Sequence, residues 1–169
     1  IIINIKRNYR NMKKDKFLII FWIAFYLTIF AILIHNSFSY LDPDLGWHLK
    51  VGEQILKEKA VPTLEYYNYT LEGQSWVDHE WLSNIITYWI YSKFGYLPIN
   101  IIFALVVVIT LIILNIFIRK FALLGKNGAA YVAPLLALGT IASLPHFGVR
   151  IQELSILNLL LLLLIIERY

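Results

Sequence analysis

FLIIFWIAFYLTIFAILI, residues 17–34, is apolar at every position except Thr28. At 1.5 Å per residue these 18 residues rise about 27 Å, close to the ~30 Å hydrocarbon thickness of a bilayer. The stretch reads as a transmembrane helix over residues 17–36, with His35 and Asn36 at its far end. Six of the 15 basic residues precede it: Lys6, Arg7, Arg10, Lys13, Lys14 and Lys16. A basic flank abutting an apolar run marks the cytoplasmic side of a span. Residues 1–16 are therefore expected to be a cytoplasmic tail, and the chain emerges on the outer face. The run is too long for a signal-peptide core, and no small-x-small cleavage pattern follows it.

Composition agrees. The chain is 59% hydrophobic and 15% charged, against about 45–50% and 25% for soluble domains. Its formal charge of +4 is concentrated in the tail, so no nucleic-acid partner is expected. The absence of Cys excludes disulfides, thiolate metal sites and a Cys nucleophile. The chain starts without Met and stops just after an apolar segment, and is expected to be part of a longer protein.

Residues 37–98 are expected to form an outer loop containing two interfacial helices. The first starts at the Asp42-Pro43-Asp44 turn and runs to about Lys59. Leu45, Leu49, Gly52 and Leu56 share one face with Val51 and Ile55 beside them, while Lys50, Glu53, Lys57 and Glu58 take the other. Pro62 breaks it. Residues 61–76 read as extended, with a turn at Glu72-Gly73. The sequon Asn68-Tyr69-Thr70 is read as a chance match.

The second helix covers residues 78–94 and ends at Gly95 as a C-cap. Glu80, Ser83, Asn84, Thr87 and Tyr91 form a polar stripe along it. Were it to cross the membrane, Arg119, Lys120 and Lys126 would lie outside, against the charge bias of short loops. It is therefore laid on the outer surface. Residues 99–118 then span inward, 119–128 form a cytoplasmic loop, and 129–145 span outward. Residues 146–153 make an outer turn, 154–166 return, and 167–169 are a cytoplasmic flank. The expected fold class is all-α and integral to the membrane, with about four transmembrane helices.

The chemistry concentrates on the outer loop. Asp42 suits an N-cap, with Pro43 at the first helical position and Asp44 near the positive end of the helix dipole. The same two acids could hold a divalent cation such as Mg or Mn through oxygen, or one could take a proton from a substrate hydroxyl. A helix N-terminus favours the ionised acid, which suits metal or charge stabilisation better than base catalysis. His48, at i+4 from Asp44, could share its face as ligand or proton relay, or pack under Trp47. Trp47 reads as an interfacial anchor or a surface for stacking a sugar ring. Asp78-His79-Glu80-Trp81 repeats the acid–His–Trp grouping. A zincin motif is excluded, because Ser83 stands where the second His is required. Arg150 near the membrane suits a phosphate or diphosphate head, or snorkels to lipid headgroups.

On these residues a resemblance emerges. Asp42-Pro43-Asp44 with Trp47-His48, then Pro62, Tyr67-Asn68-Tyr69-Thr70 and Gly73-x-x-Trp76-x-x-His79-Glu80-Trp81-Leu82, resembles bacterial relatives of the GT-C superfamily of membrane glycosyltransferases. That group includes the protein mannosyltransferase and aminoarabinose transferase relatives. Arg150-x-Gln152 with Leu154-Ser155 is similar to their Arg-Pro-Gln-x-x-Ser/Thr stretch, with Ile151 in place of the usual Pro. The resemblance implies more spans than this chain holds. It implies an acidic site on the first outer loop, with Asp42 or Asp44 activating the acceptor. Trp47, His48, His79, Glu80 and Arg150 would bind substrate, and the donor would be a lipid-linked sugar.

The expected function is thus transfer of a sugar from a polyprenyl-phosphate donor at the outer face of the cytoplasmic membrane. Two rivals stand beside it. A transporter or flippase subunit predicts ionisable residues inside the spans, which hold almost none. A non-catalytic scaffold predicts that the acids are dispensable.

Overall fold

The computed structural model describes residues 2–121 and 128–167, with side chains from Asp15 onward. The loop expected over residues 119–128 lies mostly outside the described residues. Helix α1 (Ile2–Ser39) runs unbroken from the basic tail through the first apolar run. The tail is thus helical rather than a separate segment. Helices α2 (Leu45–Glu58) and α3 (Trp81–Phe94) fall between the first apolar helix and the next. Helices α4 (Tyr96–Phe121), α5 (Ala129–Ser143) and α6 (Gln152–Ile166) follow, with a 3-10 turn at Leu144–His146 extending α5.

Among the described residues, three helical stretches are long and apolar enough to cross a bilayer: Asp15–Ser39, Tyr96–Phe121 and Ala129–His146. The fold is all-α and membrane-embedded. The fourth expected span, α6, has 15 residues, or about 22 Å of rise. Its end is nonetheless level with that of α4, because Lys120 Nζ pairs with Glu167 at 2.5 Å.

Helix α4 is the axis of the bundle. Its Ala104, Val107, Val108 and Leu111 pack with Ile29 and Leu33 of α1 and with Val132 and Leu136 of α5. A second cluster closes the other end. Leu45 of α2 and Val149 and Ile151 of the α5–α6 turn cover Ile99 and Phe103 of α4.

Helices α2 and α3 form an antiparallel pair, Gly52 lying against Asn84 and Tyr88. Lys59, at φ +54°, and Gly95, at φ +78°, end the two helices. Between them, Leu64 and Ser75 make a single antiparallel bridge over a turn with Gly73 at φ +79°. The extended reading of this segment thus agrees with the structure.

Helix α3 holds the main departure. Its 14 residues rise about 21 Å, short of a bilayer's core. The middle of its polar stripe points inward: Asn84 and Thr87 are buried, Glu80 and Ser83 are half-buried and Tyr91 is exposed, while Trp81, Leu82, Ile86 and Trp89 are exposed. A surface helix in water is arranged the other way round. The apolar exterior suits contact with lipid, and the buried Asn84 finds partners in His48 of α2 and in Asp78.

Candidate functional site

The Asp42-Pro43-Asp44 turn sits where α1, α2 and the α5–α6 turn meet. Asn36, near the end of α1, donates from Nδ2 to the carbonyls of Leu144 (2.8 Å) and Phe147 (3.2 Å), drawing the α5–α6 turn against it. Ser37 and the Tyr96 hydroxyl bond at 2.5 Å. These contacts bring Arg150 onto Asp42: its Nε donates to Oδ2 of a side chain only 3% exposed. The other Asp42 oxygen accepts the Asp44 N–H at 2.8 Å.

Asp42 therefore shapes the turn rather than capping α2. The N-cap position falls on Asp44, whose side chain makes no capping bond and which is exposed. Both Asp42 oxygens are thus engaged, Oδ2 by Arg150 and Oδ1 by the Asp44 N–H. Among the described residues no group of three or more His, Asp or Glu side chains gathers in a metal-binding arrangement.

His48 lies one turn beyond Asp44, but Asp44 is exposed and His48 is not. It is buried at the α2–α3 contact, where its Nδ1 lies 2.9 Å from Asn84 Oδ1. Asn84 Nδ2 donates to Asp78 Oδ2 at 3.0 Å. Because a carboxylate only accepts, the Asn84 amide nitrogen must face Asp78 and its oxygen must face His48. The His48 proton therefore rests on Nδ1. Glu80 Oε2 stands 3.6 Å from the same nitrogen, and its backbone N–H donates to Asp78 Oδ1 at 2.9 Å. Two residues expected at the site, His48 and Glu80, are thus joined, but in a helix-pairing lock. His79 is exposed.

Trp47 meets His48 and Trp76 edge-on, with centroids 4.7 and 5.6 Å away. It joins the lock to the extended segment, leaving a half-buried indole on the ledge. On the opposite face of α2, hydrogen bonds from Lys57 and then Lys50 hold the Glu53 carboxyl down to about 2. Burial pushes the Tyr67 phenol up where it meets Gln54.

Substituting Ala for Asn84 removes the link between His48 and Asp78 and leaves both buried groups short of a partner. The expected loss is about 1–3 kcal/mol, read as earlier thermal unfolding of the purified protein in detergent micelles. Asn84 was visible in the sequence as part of a polar stripe, but nothing there indicated its partners.

Sequence reasoning missed Glu153, which it placed in the outer turn without a role. Glu153 is buried in the first turn of α6, its Oε1 accepting the Gly148 N–H at 3.0 Å and its Oε2 without a partner among the described residues. With Arg150 it lines a mainly apolar cleft of about 520 Å³ between α4, α5 and α6. An acid at i+3 from Arg150 was the available signal.

No family model matches this chain, and no curated protein or solved structure does.

Proposed function

We propose that this chain belongs to a membrane enzyme that transfers a sugar from a polyprenyl-phosphate carrier to an acceptor at the outer face of the cytoplasmic membrane. The observation that supports it is the Asp42–Arg150 ion pair. This pair ties the turn that carries an exposed acid, Asp44, to the α5–α6 turn, at the bundle end opposite Lys120 and Glu167.

In this reading Asp44 accepts the proton of the acceptor hydroxyl as that oxygen attacks the anomeric carbon. The bond to the carrier phosphate breaks and the phosphate leaves with the electron pair. Asp42 and Arg150 hold the turn in place, and Trp47 offers an aromatic surface to the sugar. The resemblance implies one of the two acids, and the solvent access of Asp44 favours it over the paired Asp42 as the base. No step is routed through a metal ion.

Replacing Asp44 with Asn in the full-length protein is expected to lower transfer from radiolabelled polyprenyl-phosphate sugar by about 10²-fold or more. Transfer at the wild-type rate in membranes would favour the scaffold reading instead. Sidedness has its own test, because the chain carries no Cys. A single Tyr40→Cys variant should react with an impermeant maleimide added outside intact cells, and a single Lys16→Cys variant should not. Labelling of both from outside would reverse the proposed orientation.

A further inference from the structure

We propose that the cleft between α4, α5 and α6 binds a phospholipid whose head carries a primary ammonium, the ammonium on Glu153 and the phosphate on Arg150. The inference does not rest on sugar transfer; it needs only that the helices cross a membrane.

Three observations carry it. The first is shape. The cleft runs beside α4 from Val107 to Ile118, about 16 Å at 1.5 Å per residue; the α4 wall is chiefly Val, Leu and Ile, and α5 adds Leu135 and Leu136 with Gly139, Thr140 and Ser143. That is a channel for an acyl chain. Its polar lining, including Arg150, Gln152 and Glu153, clusters at the start of α6.

The second is an unmet acceptor. Glu153 is only 4% exposed, and its Oε2 has no partner among the described residues. Buried carboxylate oxygens are rarely left without a donor, because desolvating one is costly. A ligand with N–H groups supplies the missing donor.

The third is charge. Glu153 feels both Arg150 and Asp42 electrostatically, and Arg150 is already paired with Asp42. An ammonium gives the Glu153 carboxyl both a donor and a compensating positive charge. Of the five N–H donors of Arg150, the Nε–H goes to Asp42, and a guanidinium presents its remaining donors to a phosphate as readily as to a carboxylate. Arg150 and Glu153 bracket one turn, with the Glu153 N–H on the Arg150 carbonyl at 3.1 Å. Both side chains therefore leave the same turn, and both line the cleft. A head with an added carboxylate would meet repulsion from the same acids.

The test uses the full-length protein purified in detergent, with bound lipid counted by native mass spectrometry. The probes are phosphatidylethanolamine, its N-monomethyl and N,N-dimethyl forms, and phosphatidylcholine of the same acyl chains. Wild type is expected to bind phosphatidylethanolamine at least 10-fold more tightly than phosphatidylcholine, with affinity falling as methyls replace N–H donors. Glu153→Gln should erase that preference while leaving chain-driven binding. Glu58→Gln, on the exposed face of α2, should keep it.

Equal affinity across the methylation series would overturn the proposal and leave Oε2 to a water in the adjoining void of about 10 Å³. So would a preference that survives in Glu153→Gln. Displacement of phosphatidylethanolamine by equimolar polyprenyl phosphate would assign the cleft to the sugar carrier and also overturn it. Should Glu153→Gln fail to fold, the methylation series on wild type decides alone.

Discussion

Replacing Asp42 with alanine is expected to destabilise the protein by about 3 kcal/mol, read as a lower unfolding midpoint in detergent micelles. Removing one partner of a buried ion pair leaves the other charge desolvated without compensation, at a cost of about 3–5 kcal/mol. The lower end applies because the Arg150 side chain keeps 32% of its exposure while Asp42 keeps 3%. Part of the loss is not electrostatic, since alanine also gives up the bond from the Asp44 N–H. Asp42→Asn retains an acceptor for that N–H and should recover about 1 kcal/mol of the loss. Combining Asp42→Asn with Arg150→Gln should cost less than the two single changes added together, because the neutral pair leaves no orphan charge. Additivity would mean that the ion pair does not contribute.

The second large effect is expected at Gly52. A Cβ placed there would lie 2.2 Å from the Asn84 carbonyl oxygen and 2.7 Å from its carbon, with the Tyr88 Cβ at 2.8 Å. Two of those three atoms are backbone, so no side chain can turn aside. Gly52→Ala must push α2 away from α3, and the expected cost is about 3 kcal/mol, at the upper end of overpacking. The displacement also stretches the His48–Asn84 bond, which spans the same contact. Around Gly46, earlier on the same helix, a Cβ would meet no atom within 4 Å. Gly46→Ala should therefore be neutral or stabilising by up to about 1 kcal/mol. Equal destabilisation by both substitutions would show that helix propensity, not the close approach, governs α2.

The spans were legible because one property suffices to define them. An uncharged apolar run of bilayer length has few other stable settings, and backbone groups in lipid must pair within a helix. Residues 17–36, 99–118 and 129–145 each fall within an observed helical stretch. The bounds of α2 were legible too, with Pro43 and Pro62 limiting it on either side, but its buried face is turned: Leu45 and Gly52 are buried with the flanking Val51 and Ile55, while Leu56 is exposed.

The candidate site was only half legible. Asp42 and Arg150 could each be picked out as a charge beside a membrane, but they stand 108 residues apart. Nothing local couples them; Asn36 and the cover over Ile99 and Phe103 bring them together.

Periodicity identifies which residues share a helix face and is silent on which way that face turns. In water the polar face turns outward by default. Beside a bilayer the exterior is itself apolar, so the default fails. The membrane-embedded helical class thus follows from composition and run length alone, because those set the cost of each segment's surroundings. The inward turn of Asn84 and Thr87, the pairing of Asp42 with Arg150 and the lone oxygen of Glu153 belong to the tertiary structure. Each depends on what packs opposite, and no single segment contains that information.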